Sequence, residues 1–206
     1  MPVEIDYLGE GRTDEIVARR LIESVNGIPG LSYLRPQSGT GKSNLDRRLN
    51  GLNKGAALGR RVLVLRDLDN AACAPELLQR LLPDRHPNLL LRIIIPESES
   101  WFLADRDAYA SFCGVSVTKI PKQPEAMGDP KRFVLDLADA GFASKLKRFL
   151  DDADKRGVPR WAALAEWNAR FCETVWNPVR VENIGQAPSL SRTLMRLREM
   201  IAASCP

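Results

Sequence analysis

Histidine is almost missing from this chain. Its one example, His86, sits between Arg85 and Pro87 in a stretch that reads as a loop. Hydrolytic mechanisms built on imidazole therefore have almost nothing to work with, which leaves carboxylates with a metal ion as the main route to hydrolysis. Cysteine is scattered. Cys73, Cys113, Cys172 and Cys205 show no Cys-x-x-Cys spacing, which argues against a zinc site or a disulfide framework and fits unpaired thiols in a reducing cytoplasm. Long apolar runs are absent: the longest is interrupted by Arg92 and closed by Pro96, well short of a membrane span. The first residues lack the charged-then-apolar pattern of a secretion signal, so a cytoplasmic protein without a membrane partner is expected. There is no internal repeat and no low-complexity tract. The 206 residues, 44% hydrophobic and 27% charged, are those of a globular protein with a proper core, either one domain or one domain with a small appendage.

What the chain does have is acids at the ends of apolar runs. Residues 61–71, Arg-Val-Leu-Val-Leu-Arg-Asp-Leu-Asp-Asn-Ala, read as one buried strand ending in Asp67 and Asp69. On an extended backbone alternate side chains point the same way, so both carboxylates are expected to face one point at the strand's carboxyl end, where open α/β sheets bind ligands. Clustered carboxylates repel unless a cation sits between them, and hard divalent metals favour such oxygen ligands. A lone Asp-x-Asp is equally two solvated acids in a loop. A second acid supplies the context: Val3, Ile5 and Tyr7 read as a short strand, and Glu10 comes next, flanked by Gly9 and Gly11. Thr13 is the expected N-cap of the next helix, with Asp14 and Glu15 at its positive end and Ile16, Val17, Leu21, Ile22 and Val25 on one face. A third run, residues 88–96, is apolar on both faces and leads into Glu97-Ser-Glu99-Ser-Trp101-Phe-Leu-Ala-Asp105.

Residues 31–34 read as another strand, and residues 43–53 and 75–82 as helices, giving the strand–helix alternation of a parallel α/β sheet. After Asp105 strand signals nearly vanish. Residues 115–130 read as an irregular proline-containing connection, succeeded by helices over 131–138, 143–153 and 159–175 and a last one after Pro188 with Ser189 as its cap. Trp161, Trp167 and Trp176 cluster here, either as core or as platforms for unpaired bases. The division expected is an α/β domain over residues 1–112 and a helical extension over 113–206. The extension either covers the sheet or meets a partner.

Ser38-Gly-Thr-Gly-Lys42-Ser43 looks like a nucleotide-binding P-loop, but the position that needs the first glycine holds Pro36, which lacks an amide hydrogen. A loop in which Lys42 and backbone amides meet a nucleic-acid phosphate fits better, as does a plain Gly/Ser turn. Residues 37–61 hold Lys42, Arg47, Arg48, Lys54, Arg60 and Arg61 against Asp46 alone, within a net charge of +4. A basic stripe beside an acidic cluster suits a polyanionic substrate, and an ordinary solvated helix face remains the alternative.

The order strand, Gly-flanked glutamate, helix, then a strand ending in Asp-x-Asp resembles the Toprim domain of topoisomerases, primases and OLD-type nucleases. The Glu97-Ser-Glu99-Ser-Trp101 stretch resembles a little-characterised Toprim-like bacterial family encoded beside AAA- or ABC-type ATPases in phage-defence gene pairs. The resemblance implies a Toprim/Rossmann-like, mostly parallel sheet flanked by helices. It also implies Mg2+ or Mn2+ held by Glu10, Asp67, Asp69 and Glu99, with Glu10, Asp67, Asp69, Glu97 and Glu99 as the catalytic set. Which of Glu97 and Glu99 faces the metal stays open. Arg12, Lys42, Arg47, Arg48 and Lys54 are the residues expected to meet phosphate. Arg12 stands where Toprim domains carry a lysine, so a step that needs a neutral amine there is not available. The activity implied is phosphodiester hydrolysis of nucleic acid, DNA ahead of RNA, with an ATPase partner and a homodimer as candidate assemblies. Two other classes fit the same residues: a non-catalytic subunit docked on an ATPase, and a metal-dependent phosphotransfer enzyme acting on nucleotides.

Overall fold

Apolar strand sequences with no polar face must be covered on both sides, and this chain covers its strands with helices. A computed structural model describes residues 3–27, 32–33 and 41–203. Four strands, β1 (Asp6–Leu8), β2 (Ser32–Tyr33), β3 (Val62–Asp67) and β4 (Leu89–Ile94), form a parallel sheet in the order β2-β1-β3-β4. Tyr7 pairs with Leu63, and Val64 with Leu91, so the carboxyl ends of β1, β3 and β4 lie together.

Alternation along the strands sorts the core into two. Tyr7, Leu63, Leu65 and Ile94 belong to a large apolar core, and Leu8, Val62, Val64, Leu89 and Leu91 to a small one. The small core is closed by α2 (Lys42–Ala57), through Leu45, Leu49 and Ala56, and by α3 (Ala74–Leu81). The large core takes α1 (Arg12–Asn26), whose Ile16, Val17, Leu21 and Ile22 are buried, and most of the helices that come after β4. Those helices are α4 (Ser98–Ala104), α5 (Arg106–Cys113), α6 (Pro130–Asp139), α7 (Ser144–Lys155), α8 (Arg160–Thr174), α9 (Pro178–Ile184) and α10 (Pro188–Ala202). Two short 3-10 turns, Val117–Lys119 and Pro124–Ala126, occupy the stretch expected to be irregular.

Helices after residue 113 take the first of the two roles open to them, packing over α1 and β4. α8 and α10 both pack on α1, and the apolar core beneath runs unbroken from Val3 to Met200. Phe102, Phe171 and Trp176 are fully buried and meet edge to face, with ring centroids 5.6–5.8 Å apart. Each such side chain contributes about 1.5–3 kcal/mol by leaving water. Trp176 and Trp167 are core residues, while Trp161 is 66% exposed.

Several local expectations need correction. α1 starts at Arg12 with Gly11 as its cap; Thr13 lies inside the helix and its hydroxyl donates to the Ala165 carbonyl at 3.3 Å. α10 is capped by Ala187. Ser189 is buried within its first turn, accepting from Trp101 Nε1 at 2.7 Å and donating to Glu125 at 2.6 Å. α9 is a helix beyond those expected, although its signals are present: Asn177 accepts from the Val179 and Arg180 amides, Pro178 opens the helix, and Gly185 closes it at φ 74°. Cys73 is exposed and Cys113 and Cys172 are buried, all three as free thiols, and Cys205 lies outside the described residues. Of the expected strand over 31–34, positions 31 and 34 lie outside them too. No helix among the described residues is long and apolar enough to cross a membrane.

Candidate functional site: carboxylates at three strand ends

Just past β1 the chain makes a close approach. A Cβ on Gly9 would stand 2.4 Å from Asp14 Cβ, so only glycine fits there. Gly11 is different: its backbone is extended and a Cβ would meet open space. Tight turning is thus a property of Gly9 alone. The turn puts Glu10 at the sheet's carboxyl edge, where its Oε1 accepts from the Asp67 amide at 3.0 Å and from Arg66 Nη1 at 2.9 Å. The Gly41 amide donates to the Glu10 carbonyl at 2.7 Å, which brings the start of α2 to the same place.

β3 ends at Asp67, and here the alternation argument fails for Asp69. Asp69 has φ 50°, so the chain has left the extended path before reaching it. Asp67 keeps the parity of Leu63 and Leu65 and belongs to the large-core side; Arg66 keeps the parity of Val62 and Val64. Asp69 turns to Arg66, accepting from Nη1 at 2.8 Å, and to Lys42, whose Nζ lies 3.3 Å away. Arg66 is only 6% exposed. It also donates to the Asp67 carbonyl and to Asp46 Oδ1 of α2 at 3.3 Å. Burial works against its charge, but Asp69, Glu10 and Asp46 raise its pKa above the ordinary value.

On the other side the acids have less help. Asp67 Oδ1 is buried and has no hydrogen-bond partner. Burial, then Asp14, Glu10 and Glu99, push its carboxyl well above the ordinary range, and Lys131 opposes them. Asp14, in the first turn of α1, accepts from the Gly11 amide at 3.2 Å. Burial, Glu10 and Glu99 raise its pKa to about 7. Glu99 is buried in α4, taking 3.2 Å and 3.5 Å hydrogen bonds from Asn168 Nδ2 and the Ser98 hydroxyl. Burial raises its pKa too, against Lys131. Glu10 is raised as well, by burial against the pull of Arg66.

Helix rather than strand geometry separates Glu97 from Glu99. Glu97 caps α4 and binds Lys131 at 2.9 Å, whereas Glu99 is the inner residue whose charge reaches Asp14 and Asp67, 3.9 Å from the same lysine. The 94–96 turn, with its cis Ile95–Pro96 peptide, is tied to β3 by the Leu68 and Asp69 amides donating to the Pro96 carbonyl at 3.0 and 3.3 Å.

Glu10, Asp67, Asp69, Glu97 and Glu99 therefore all reach the same edge of the sheet, but not as one ligand set. Among the described residues no three His, Cys, Asp or Glu side chains stand together as a metal site. Arg66 stands between Glu10 and Asp69 where a shared cation was expected. The carboxyls outnumber the cations around them, the donors are all oxygen, and one buried oxygen lacks any partner, so the donor chemistry suits a hard divalent ion although the side chains do not stand as a ligand set. Of the cations expected at phosphate, Lys42 reaches the cluster and lines a cleft of about 260 Å3 with Arg66, Asp69 and Arg80. Arg12, Arg47 and Lys54 are exposed; Arg47 is occupied with Ser43 and Asn44 of its own helix, and Arg48 is half-buried on α2. Residues 34–40, with the first half of the P-loop-like sequence, lie outside the described residues.

Asp14, Arg66, Lys131 and Asn168 join the site without having been marked by sequence reasoning. Arg66 carries a signal, being a charge inside an otherwise apolar strand. Asp14 reads in sequence only as a helix-dipole residue, and nothing local marks Lys131 or Asn168. Comparison with protein-family models, with curated proteins and with solved structures gave no match to this chain.

Proposed function

We propose that this is a Toprim-like, divalent-metal-dependent nuclease. The observation that carries the reading is Asp67. Its buried oxygen has no partner, and the carboxyls whose charges reach it all have raised proton affinities, from burial first and from one another second, so an added cation would be favoured here. Asp67, Glu10 and Glu99 would hold the ion once it draws them together, with Asp69 joining when released from Arg66. A bound Mg2+ or Mn2+ would supply Lewis acidity toward a phosphodiester and lower the pKa of a bound water. Lys42 and Arg66 offer cations for the non-bridging oxygens of a phosphate, Arg66 through a planar fork. Asp14, with a pKa of about 7, exchanges a proton at neutral pH and suits the role of base for the attacking water. Lys131, held by Glu97 at 2.9 Å, acts on Glu99 from 3.9 Å, and Asn168 and Ser98 hold the Glu99 carboxylate in place.

Calorimetric titration of Mg2+ and Mn2+, paired with cleavage of labelled DNA and RNA, tests this. Binding and cleavage are expected in the wild type, alone or with an ATPase partner, and both are expected to be lost in Asp67→Asn. Cleavage that survives Glu10→Gln and Asp67→Asn unchanged would overturn the reading.

A second reading draws on Arg66. A guanidinium already bridging Glu10, Asp46 and Asp69 is what a structural acid cluster needs, as in a non-catalytic subunit docked on an ATPase. That reading expects no heat of metal binding at pH 8, where the acids are most ionised.

A further inference from the structure

A different set of charges lies along the edge of the sheet. β4 is an edge strand, α10 packs along it, and Arg92 is its one charged residue. Arg92 stands half-buried on the α10 side, with Nε donating to the Thr193 hydroxyl at 3.2 Å. Thr193 in turn donates to the Ser189 carbonyl at 2.8 Å, which leaves its oxygen lone pairs for the guanidinium. Arg192 and Arg196, one turn apart on α10, flank Thr193 and are both exposed. Cβ atoms at that spacing stand about 6 Å apart. Arg85, in the loop that enters β4, is held by the Leu78 and Leu82 carbonyls at 3.1 and 2.8 Å.

These arginines repel one another. Burial and the charges of Arg192, Arg196 and Arg85 lower the pKa of Arg92 to about 10. Among the described residues no carboxylate forms an ion pair with Arg85, Arg92 or Arg192; Arg196 shares its charge with Glu199 at 2.8 Å, and Arg192 acts on Glu125 at longer range. Like charges gathered with a single close counter-ion among them are unfavourable unless an anion joins them. Strung along an edge instead of closing around a pocket, they match a linear polyanion better than one isolated phosphate. The line also has a direction. Ser189, one turn before Thr193, accepts from Trp101 of α4, so α10 starts against the helix that carries Glu99 and its arginines run from there along β4.

We propose that Arg85, Arg92, Arg192 and Arg196 form a track for the phosphate backbone of a nucleic-acid strand, leading along the β4 edge to the carboxylates. The destination rests on the nuclease reading; the binding does not.

The test is fluorescence anisotropy of labelled, mixed-sequence single-stranded and duplex oligonucleotides with the full chain, in chelator, over a range of KCl. Arg192→Gln/Arg196→Gln, at two exposed positions, is expected to weaken binding about tenfold and to reduce the slope of log K against log[salt] by about 1–2. Arg85→Gln is expected to act in the same direction with a smaller effect. Lys155→Gln/Arg156→Gln, at the exposed end of α7, removes the same charge and is expected to leave affinity nearly unchanged. No wild-type binding, unchanged binding in both track variants, or an equal loss in the α7 variant would each overturn the track. Because chelator removes the metal, a chain that binds through the track yet never holds Mg2+ or cleaves would overturn only the nuclease reading.

Discussion

The two sides of the β3 terminus carry the same kinds of acid and treat them differently. On the α2 side, Glu10, Asp46 and Asp69 share the guanidinium of Arg66, and Lys42 adds a second, more exposed cation. On the large-core side, Asp14, Asp67 and Glu99 are all buried with raised proton affinities, Lys131 works against the rise in each, and one oxygen of Asp67 has no partner. The chain's own cation satisfies one set. The other keeps an excess of negative charge that protons partly neutralise, which makes it the side where an added cation gains most.

Removing the built-in cation should break the contrast most forcefully. Arg66→Met leaves Glu10, Asp46 and Asp69 without their shared partner, and breaking a buried ion pair costs about 3–5 kcal/mol. Urea unfolding should show that loss, and a change below about 1 kcal/mol would mean the bridge is not structural.

The next effect is pH dependence. Asp14 binds its proton more tightly folded than unfolded, so its contribution is fully present below the unfolded pKa near 3.8 and is lost as pH rises through about 7. In chelator the wild type should lose about 2–3 kcal/mol between pH 5 and pH 8 from this group, and Asp14→Asn should flatten the profile. A wild-type profile as flat as that of the variant would show that the two sides do not differ in charge balance.

Metal is the sharper probe of the same side. Mg2+ should raise the melting temperature more at pH 8 than at pH 6, because protons and metal compete for the same oxygens. At a hundredfold excess over the dissociation constant the gain is about 2.7 kcal/mol. Asp67→Asn should abolish it, whereas Lys42→Ala should leave most of it. The smallest effect belongs to the satisfied side: the Lys42–Asp69 pair is largely exposed, so Lys42→Ala should change stability by less than about 1 kcal/mol in thermal melts.

Much of the fold can be read locally. The helices over 160–174 and 188–202 obey apolar spacing, and β3 and β4 arise from uninterrupted apolar runs closed by acids or proline. The acids of the site can be read for the same reason, because a carboxylate that ends a buried strand stands out. Their grouping cannot. Asp67 and Asp69 share strand parity only while the backbone stays extended, and the left-handed φ of Asp69 sends it to the opposite side. Glu97 and Glu99 separate because α4 begins at Ser98, where strand parity no longer applies. Arg66 is visible as a charge in an apolar strand, yet only the position of α2 makes it a bridge to Asp46.

Short-range sterics and hydrophobic periodicity act within a few residues, and they by themselves determined the strands, most of the helices, and that Glu10, Asp67 and Glu99 would come to the carboxyl ends of buried strands. Tertiary structure alone decided which acids are satisfied. Arg66 reaches Glu10 across 56 residues of sequence, Asn168 reaches Glu99 across 69, and Lys131 approaches from a helix that no local pattern connects to the sheet. Coulomb energy and desolvation depend on distance and burial in space, and neither is written in the order of residues along the chain.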